Sequence, residues 1–179
     1  MLALEDAFKL LWGLRAHDAI RVFKTWVNAW CTSSRFHERV ILPCLFGCPG
    51  CEDRQAHYSM CPNLFAIQTF LTPRITDFDP LKRLGLKEPQ LDKLKLVACT
   101  FSAYHALKFK VAPMFSLDGH LSNLVEMHPS TQISFLESFA EAFRVEAVEL
   151  ALPTRRFDSH SFLNSLTGVP ASEEAVTLT

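Results

Sequence analysis

Cys44-Leu-Phe-Gly-Cys48-Pro-Gly-Cys51-Glu-Asp-Arg-Gln-Ala-His57-Tyr-Ser-Met-Cys61-Pro62 gathers four cysteines and one histidine into eighteen residues. A closed tetrahedral zinc site takes four nitrogen or sulfur ligands, commonly two from a tight turn and two from a later helix or turn. The run offers one soft donor more than that. Asp53 is expected to cap a helical turn from which His57 and Cys61, four apart, project on one face. The other pair is either Cys44-x3-Cys48 or Cys48-Pro-Gly-Cys51, where Gly50 relieves the backbone as amides approach the sulfurs. Spacing alone does not choose between them. Buried free thiols and a redox role for Cys48 and Cys51 are the competing readings. The redox reading needs a strand leading into the pair, and Val40-Ile41-Leu42-Pro43 is a poor one. Structural zinc contributes on the order of 10 kcal/mol in small finger peptides. That exceeds what so short a glycine- and proline-rich segment gains by packing, so loss of metal is expected to melt residues 44 to 61.

The flanks read as helices. Leu4, Phe8, Leu11 and Trp12 recur at helical spacing over residues 3 to 14, with Gly13 weakening the end. Asp18 is placed to cap a second helix whose Ile20, Phe23, Val27 and Trp30 form an apolar stripe, read as core. Pro62 opens a helix through Leu64, Phe65, Ile67, Gln68 and Leu71, and Pro73 stops it. Pro73, Pro80, Gly85 and Pro89 mark residues 73–90 as a connector and hinge with at most one helical turn. From Gln90 to about Val111, Leu91, Leu94, Val97, Ala98, Phe101, Tyr104 and Leu107 predict a long helix. Ser130 or Thr131 is expected to cap a last one, carrying Ile133, Leu136, Phe139, Ala140, Phe143 and Ala147 and ended by Pro153. Residues 154–179 read as a polar, disordered tail. With no repeat and no strand alternation, the fold class is mostly α: a helical segment 1–72 holding the Cys/His turn, the connector 73–90, a second helical segment 91–153, and the tail.

The 179 residues are 49% hydrophobic and 21% charged, enough apolar material for a core. Glu5, Asp6 and Lys9 interrupt the apolar start, so no export signal is read. The thiols are therefore expected to be reduced and the protein intracellular. No apolar run reaches the roughly 18 residues of a membrane span. The start almost inside an apolar helix is compatible with a truncated beginning. Residues 1–113 carry 15 basic and 10 acidic side chains, and residues 114–179 carry 3 and 9. This polarity is compatible with nucleic acid meeting the first part and a protein partner meeting the acidic last third.

Trp30-Cys31-Thr32-Ser33-Ser34-Arg35-Phe36-His37-Glu38, Pro43-Cys44-Leu45-Phe46-Gly47-Cys48 and His57-Tyr58-Ser59-Met60-Cys61-Pro62 resemble the zinc-binding region C-terminal to reverse transcriptase domains in retroelement-derived proteins of the non-LTR class. In such segments a cysteine pair is followed at about eight residues by histidine and then by a final cysteine; eight residues separate Cys48 from His57 here. The resemblance covers residues 30–62 and extends to 98–107. It implies Zn2+ as cofactor, with Cys44, Cys48, His57 and Cys61 as ligands and Cys51 as the alternative to Cys44. His37 is a further possible ligand, more simply an exposed or capping residue. Nucleic acid is the implied partner, with Arg35, Arg39 and Arg54 as the nearest phosphate contacts.

Polymerase and nuclease chemistry need paired carboxylates on a strand turn to hold metal ions. Glu52-Asp53 lies inside the cysteine cluster and Asp77-Phe78-Asp79 in the connector, so no enzymatic activity is assigned. Ser102, Tyr104 and His105 point in different directions on one helix, and Cys31 and Cys99 sit on apolar stripes as core residues. The expected function is a non-catalytic zinc-binding, nucleic-acid-binding module. The alternative is a structural or protein-interaction module in which zinc only fastens the fold.

Overall fold

The computed structural model describes residues 2–38, 41–73, 79–118, 129–159 and 161–162. Through them run α1 (Leu2–Leu11), α2 (Ala16–Trp26), α3 (Gln55–Tyr58), α4 (Pro62–Leu71), α5 (Pro80–Arg83), α6 (Leu91–Asp118) and α7 (Pro129–Glu149). The described residues contain no strand, only an isolated antiparallel bridge between Pro43 and Glu52. The protein is mostly α, as expected. No helix among the described residues is long and apolar enough to cross a membrane.

The axis is α6, against which α7, α2 and α1 pack. Leu94, Leu96, Val97, Ala98, Cys99, Ala103, Tyr104, Leu107 and Val111 are all buried, so this helix is apolar around most of its circumference and belongs at the centre of a bundle. It exceeds the expected span and ends at Asp118. From α7, Leu136, Phe139, Ala140, Phe143 and Ala147 are buried along one face, the two phenylalanines completely. Each buried phenylalanine is worth roughly 2 to 3 kcal/mol. Cys61 caps α4 and Pro62 stands in its first turn, where the missing N–H costs nothing.

Two helix boundaries differ from expectation. Ser130 and Thr131 lie inside the first turn of α7 rather than capping it, because Pro129 already opens the helix. The far end is closed before Pro153 by Ala151, whose φ of 52° is left-handed. The Leu152 N–H donates to Ala147 O at 2.8 Å and the Ala151 N–H to Val148 O at 3.1 Å, the paired bonds that terminate helices at a left-handed residue. Glycine takes that conformation without the Cβ clash, so Ala151→Gly is expected to stabilise the protein by about 1 kcal/mol in denaturant unfolding.

The expected apolar stripes turn inward only in part, with Trp30 3% exposed and Leu11 half-buried against the core. Ile20, Phe23 and Val27 are about half exposed, and so are Leu4 and Phe8; Trp12 is 91% exposed. The side of α2 that meets the core carries Asp18, Val22 and Thr25. Asp18 is not a cap; Arg15 holds that position. The Asp18 carboxylate tolerates burial because Arg15 Nε donates to it at 2.7 Å and Arg21 Nη1 at 3.1 Å. Thr25 is satisfied by Arg21 O at 3.0 Å and by Trp30 Nε1 at 2.9 Å. Arg21 reaches on to Glu146 of α7, which also accepts from Ser102 Oγ at 2.7 Å. A network of satisfied polar groups thus replaces part of the apolar seam that periodicity predicts.

The connector is fastened rather than loose over residues 79–90. Trp26 Nε1 donates to Leu84 O at 2.8 Å and Arg83 Nη2 to Tyr58 O at 3.2 Å. Residues 154–159 and 161–162, expected as part of a disordered tail, are packed on the helices. Arg155 N donates to Leu71 O at 2.9 Å, and Phe157 and Phe162 pack with Phe70 at ring separations of 5.6 and 6.2 Å. Residues 163–179 lie outside the described residues.

His105 illustrates how α6 holds residues 30–38. Its Nδ1 donates to Phe101 O at 2.7 Å while Nε2 accepts from Cys31 N at 3.2 Å, an arrangement that only the neutral ring can make. Burial lowers its pKa below the ordinary 6.5, outweighing the opposing bond to Phe101. The unfolded chain therefore binds a proton that the folded chain refuses, so stability from this residue is present above pH 6.5 and is lost as pH falls below it. Urea unfolding of the protein and of His105→Gln should show the stability difference shrinking between pH 7.5 and 5.

Candidate metal centre

Residues 42–53 double back on themselves. Asp53 N donates to Leu42 O and Cys44 N to Cys51 O, both at 2.8 Å, framing the loop with two antiparallel rungs. Within it Gly47 and Gly50 take φ values of 78° and 66°, and Gly47 N donates to Cys44 O at 3.0 Å. This tight turn sets Cys44 and Cys48 together. α3 supplies His57, and Cys61 is the cap of α4, so the last two ligands come from two short helices and not from one shared face. Capping of α3 also differs: Arg54, not Asp53, is its N-cap.

The structure brings Cys44, Cys48, His57 and Cys61 together, their ligand atoms all within 4.8 Å of one another. Cys48 Sγ is 3.4 Å and Cys44 Sγ 3.9 Å from Cys61 Sγ, and His57 Nε2 is 3.2 Å from Cys44 Sγ. A tetrahedral ion with metal–sulfur bonds of about 2.3 Å sets its sulfurs about 3.8 Å apart, so the donors fit one four-coordinate ion. All three cysteines are buried and His57 is half-buried. Cys51 is outside the set: its carbonyl serves the rung to Cys44, and its thiol stays half-buried at the rim. His37, exposed with φ 49°, is outside it too.

The start of α4 points at the sulfurs. Leu64 N donates to Cys61 Sγ at 3.3 Å. Hydrogen bonds from the Cys44 and Cys61 thiols, and after them from the Asn63 amide and His57, push the Cys48 pKa down to about 2. Cys44 is raised by its bonds to Cys48 and Cys61 and by burial. Cys61 is pulled down by Cys44, but the bond to Cys48 and burial outweigh this and raise it to about 12. Occupation by a divalent ion turns all three into thiolates, with the positive end of α4 favouring the charge.

Asp53 holds this loop to the bundle. Fully buried, its carboxylate accepts from Ser33 N at 2.6 Å, Tyr58 Oη at 2.8 Å, Tyr104 Oη at 2.7 Å and Lys108 Nζ at 3.0 Å. Tyr58, the neighbour of His57, also accepts from Leu45 N at 3.2 Å. Burial above all, then the Asp53 charge, raises the pKa of both tyrosines, which keeps them as donors. Sequence reasoning missed this hub; its only trace was Tyr104 and Lys108 standing four apart on α6. The segment also packs more than its composition implied: Leu42, Leu45 and Phe46 are buried, with Phe46 5.0 Å from Phe139.

Of the expected phosphate contacts, Arg35 is exposed, with its guanidinium 5.5 Å from the Phe36 ring centroid. Arg54 is exposed and paired with Glu52. Arg39 lies outside the described residues. Cys99 is buried core, its thiol pushed up to about 12 by burial, whereas Cys31 is only half-buried. No protein-family model, characterised protein or solved structure matches the chain.

Proposed function

We propose that this chain is a non-catalytic zinc-binding module of retroelement type that contacts single-stranded nucleic acid beside its metal centre. The carrying observation is the closed set of four donors, three thiols and one imidazole. This soft tetrahedral set suits zinc, and with four protein ligands it leaves no position open for water or substrate. The metal then staples the loop to α3 and α4. Support for nucleic acid comes from Phe36, 56% exposed under the Arg35 guanidinium, an aromatic and cationic pair of the kind on which bases stack. Their turn is tied to the metal loop through Ser33, whose N–H donates to Asp53 and whose Oγ accepts from Leu42 N at 3.0 Å. Arg54 has only an exposed ion pair to give up, and such pairs are weak.

Titration with single-stranded RNA between 50 and 200 mM salt tests the proposal. Affinity should fall as salt rises, and Arg35→Ala should reduce the slope of log K against log salt by about 0.7. Absence of binding at 50 mM would overturn it. A second reading, protein docking, is favoured by the outer side of α1 and α2, where Phe8, Leu11, Trp12, Ala16, Ala19 and Ile20 line one open groove. Apolar surface of this kind marks interaction sites. Zinc uptake without nucleic-acid binding is the result that favours it.

A further inference from the structure

Arg83, the last residue of α5, is a buried cation with no carboxylate. The residue is 7% exposed, Nη2 donates to Tyr58 O at 3.2 Å, the guanidinium lies 5.2 Å from the Phe65 ring centroid, and Nη1 has no partner. Among the described residues it makes no ion pair. It shares a cavity of about 40 Å³ with Gln68, whose Oε1 is likewise buried without a partner. A water fits such a space. It would not neutralise the charge, and an isolated buried cation is costly.

The side chain's two anchors flank one metal ligand. Tyr58 is three residues before Cys61 and Phe65 four after it, with Phe65 N donating to Cys61 O at 3.0 Å. Burial lowers the arginine's pKa, and the Cys61 side chain opposes that shift. Three thiolates and a neutral imidazole around a divalent ion leave a centre of net charge minus one. We propose that Arg83 is the counter-cation of the metal centre, a positioning residue that is not a ligand but offsets the charge of the third buried thiolate. The inference rests on the three-cysteine, one-histidine reading.

The test is zinc affinity by chelator competition for the full chain and for Arg83→Gln and Arg83→Lys, with the absorption of the cobalt(II) form as a check on the ligand set. Arg83→Gln keeps a donor but loses the charge, and should weaken zinc by about 10- to 100-fold with the cobalt spectrum unchanged. Arg83→Lys should stay within about threefold of the parent. Equal affinity of the Gln variant and the parent overturns the proposal, as does equal weakening of both variants, which would indicate packing. If the Gln variant does not fold, the Lys variant decides: a loss of about tenfold or more overturns the proposal and a smaller one supports it. A parent chain that takes up no zinc sinks the metal reading itself, and the proposal with it.

Discussion

Stripping the metal from the purified protein is expected to lower its thermal midpoint by about 10 °C or more and to open the loop that carries the ligands. Structural zinc supplies on the order of 10 kcal/mol of apparent binding energy in small peptides. Half of that, in a chain of this size, corresponds to a shift of about 10 to 20 °C. The loss should be localised. The amides of Cys44 and Gly47, bonded across the turn, and of Leu64, bonded to Cys61 Sγ, should lose protection from hydrogen exchange. Amides in the facing interiors of α6 and α7 should keep theirs, because Leu107, Phe139 and Phe143 are buried without reference to the sulfurs. Exchange measured with and without a strong chelator checks this; an unchanged pattern across residues 44–64 contradicts it.

Asp53→Asn should destabilise the protein by about 3 to 5 kcal/mol, the range found when one partner of a buried ion pair is removed. The amide presents two new hydrogens to a site already filled by four donors, from Ser33, Tyr58, Tyr104 and Lys108. Lys108, 7% exposed at its side chain, would keep only Glu38, at 3.1 Å. Tyr104→Phe removes a single donor and should cost only about 1 to 2 kcal/mol. Urea unfolding of the two variants in zinc-replete buffer gives both numbers. A loss below about 1 kcal/mol for Asp53→Asn would show that the carboxylate is not the tie between loop and bundle.

The Cys/His cluster, the helices α4, α6 and α7 and the mostly helical class were legible in the sequence, since each rests on local spacing; the order of the four donors came from the resemblance. Proline placement and 3.6-residue periodicity report where a helix lies and which residues share a side. They do not report which side meets the core. On α2 the polar side won, because Asp18 and Thr25 find partners in Arg15, Arg21 and Trp30, and Ile20 and Phe23 were left half exposed. Asp53 read as a helix cap because its partners Tyr104 and Lys108 lie about fifty residues away in sequence, beyond any local pattern. Spacing could not separate Cys44 from Cys51. The fold does so by position: it brings the Cys44 sulfur to the donor atoms of Cys48, His57 and Cys61 and leaves Cys51 outside the group.

That choice of ligand is where the metal centre is most directly open to test. Metal content by native mass spectrometry of the parent chain, Cys44→Ser and Cys51→Ser should give one zinc per chain for the parent and for Cys51→Ser, and little or none for Cys44→Ser. Zinc retained by Cys44→Ser but lost from Cys51→Ser, or a parent chain that holds no zinc, would contradict the account.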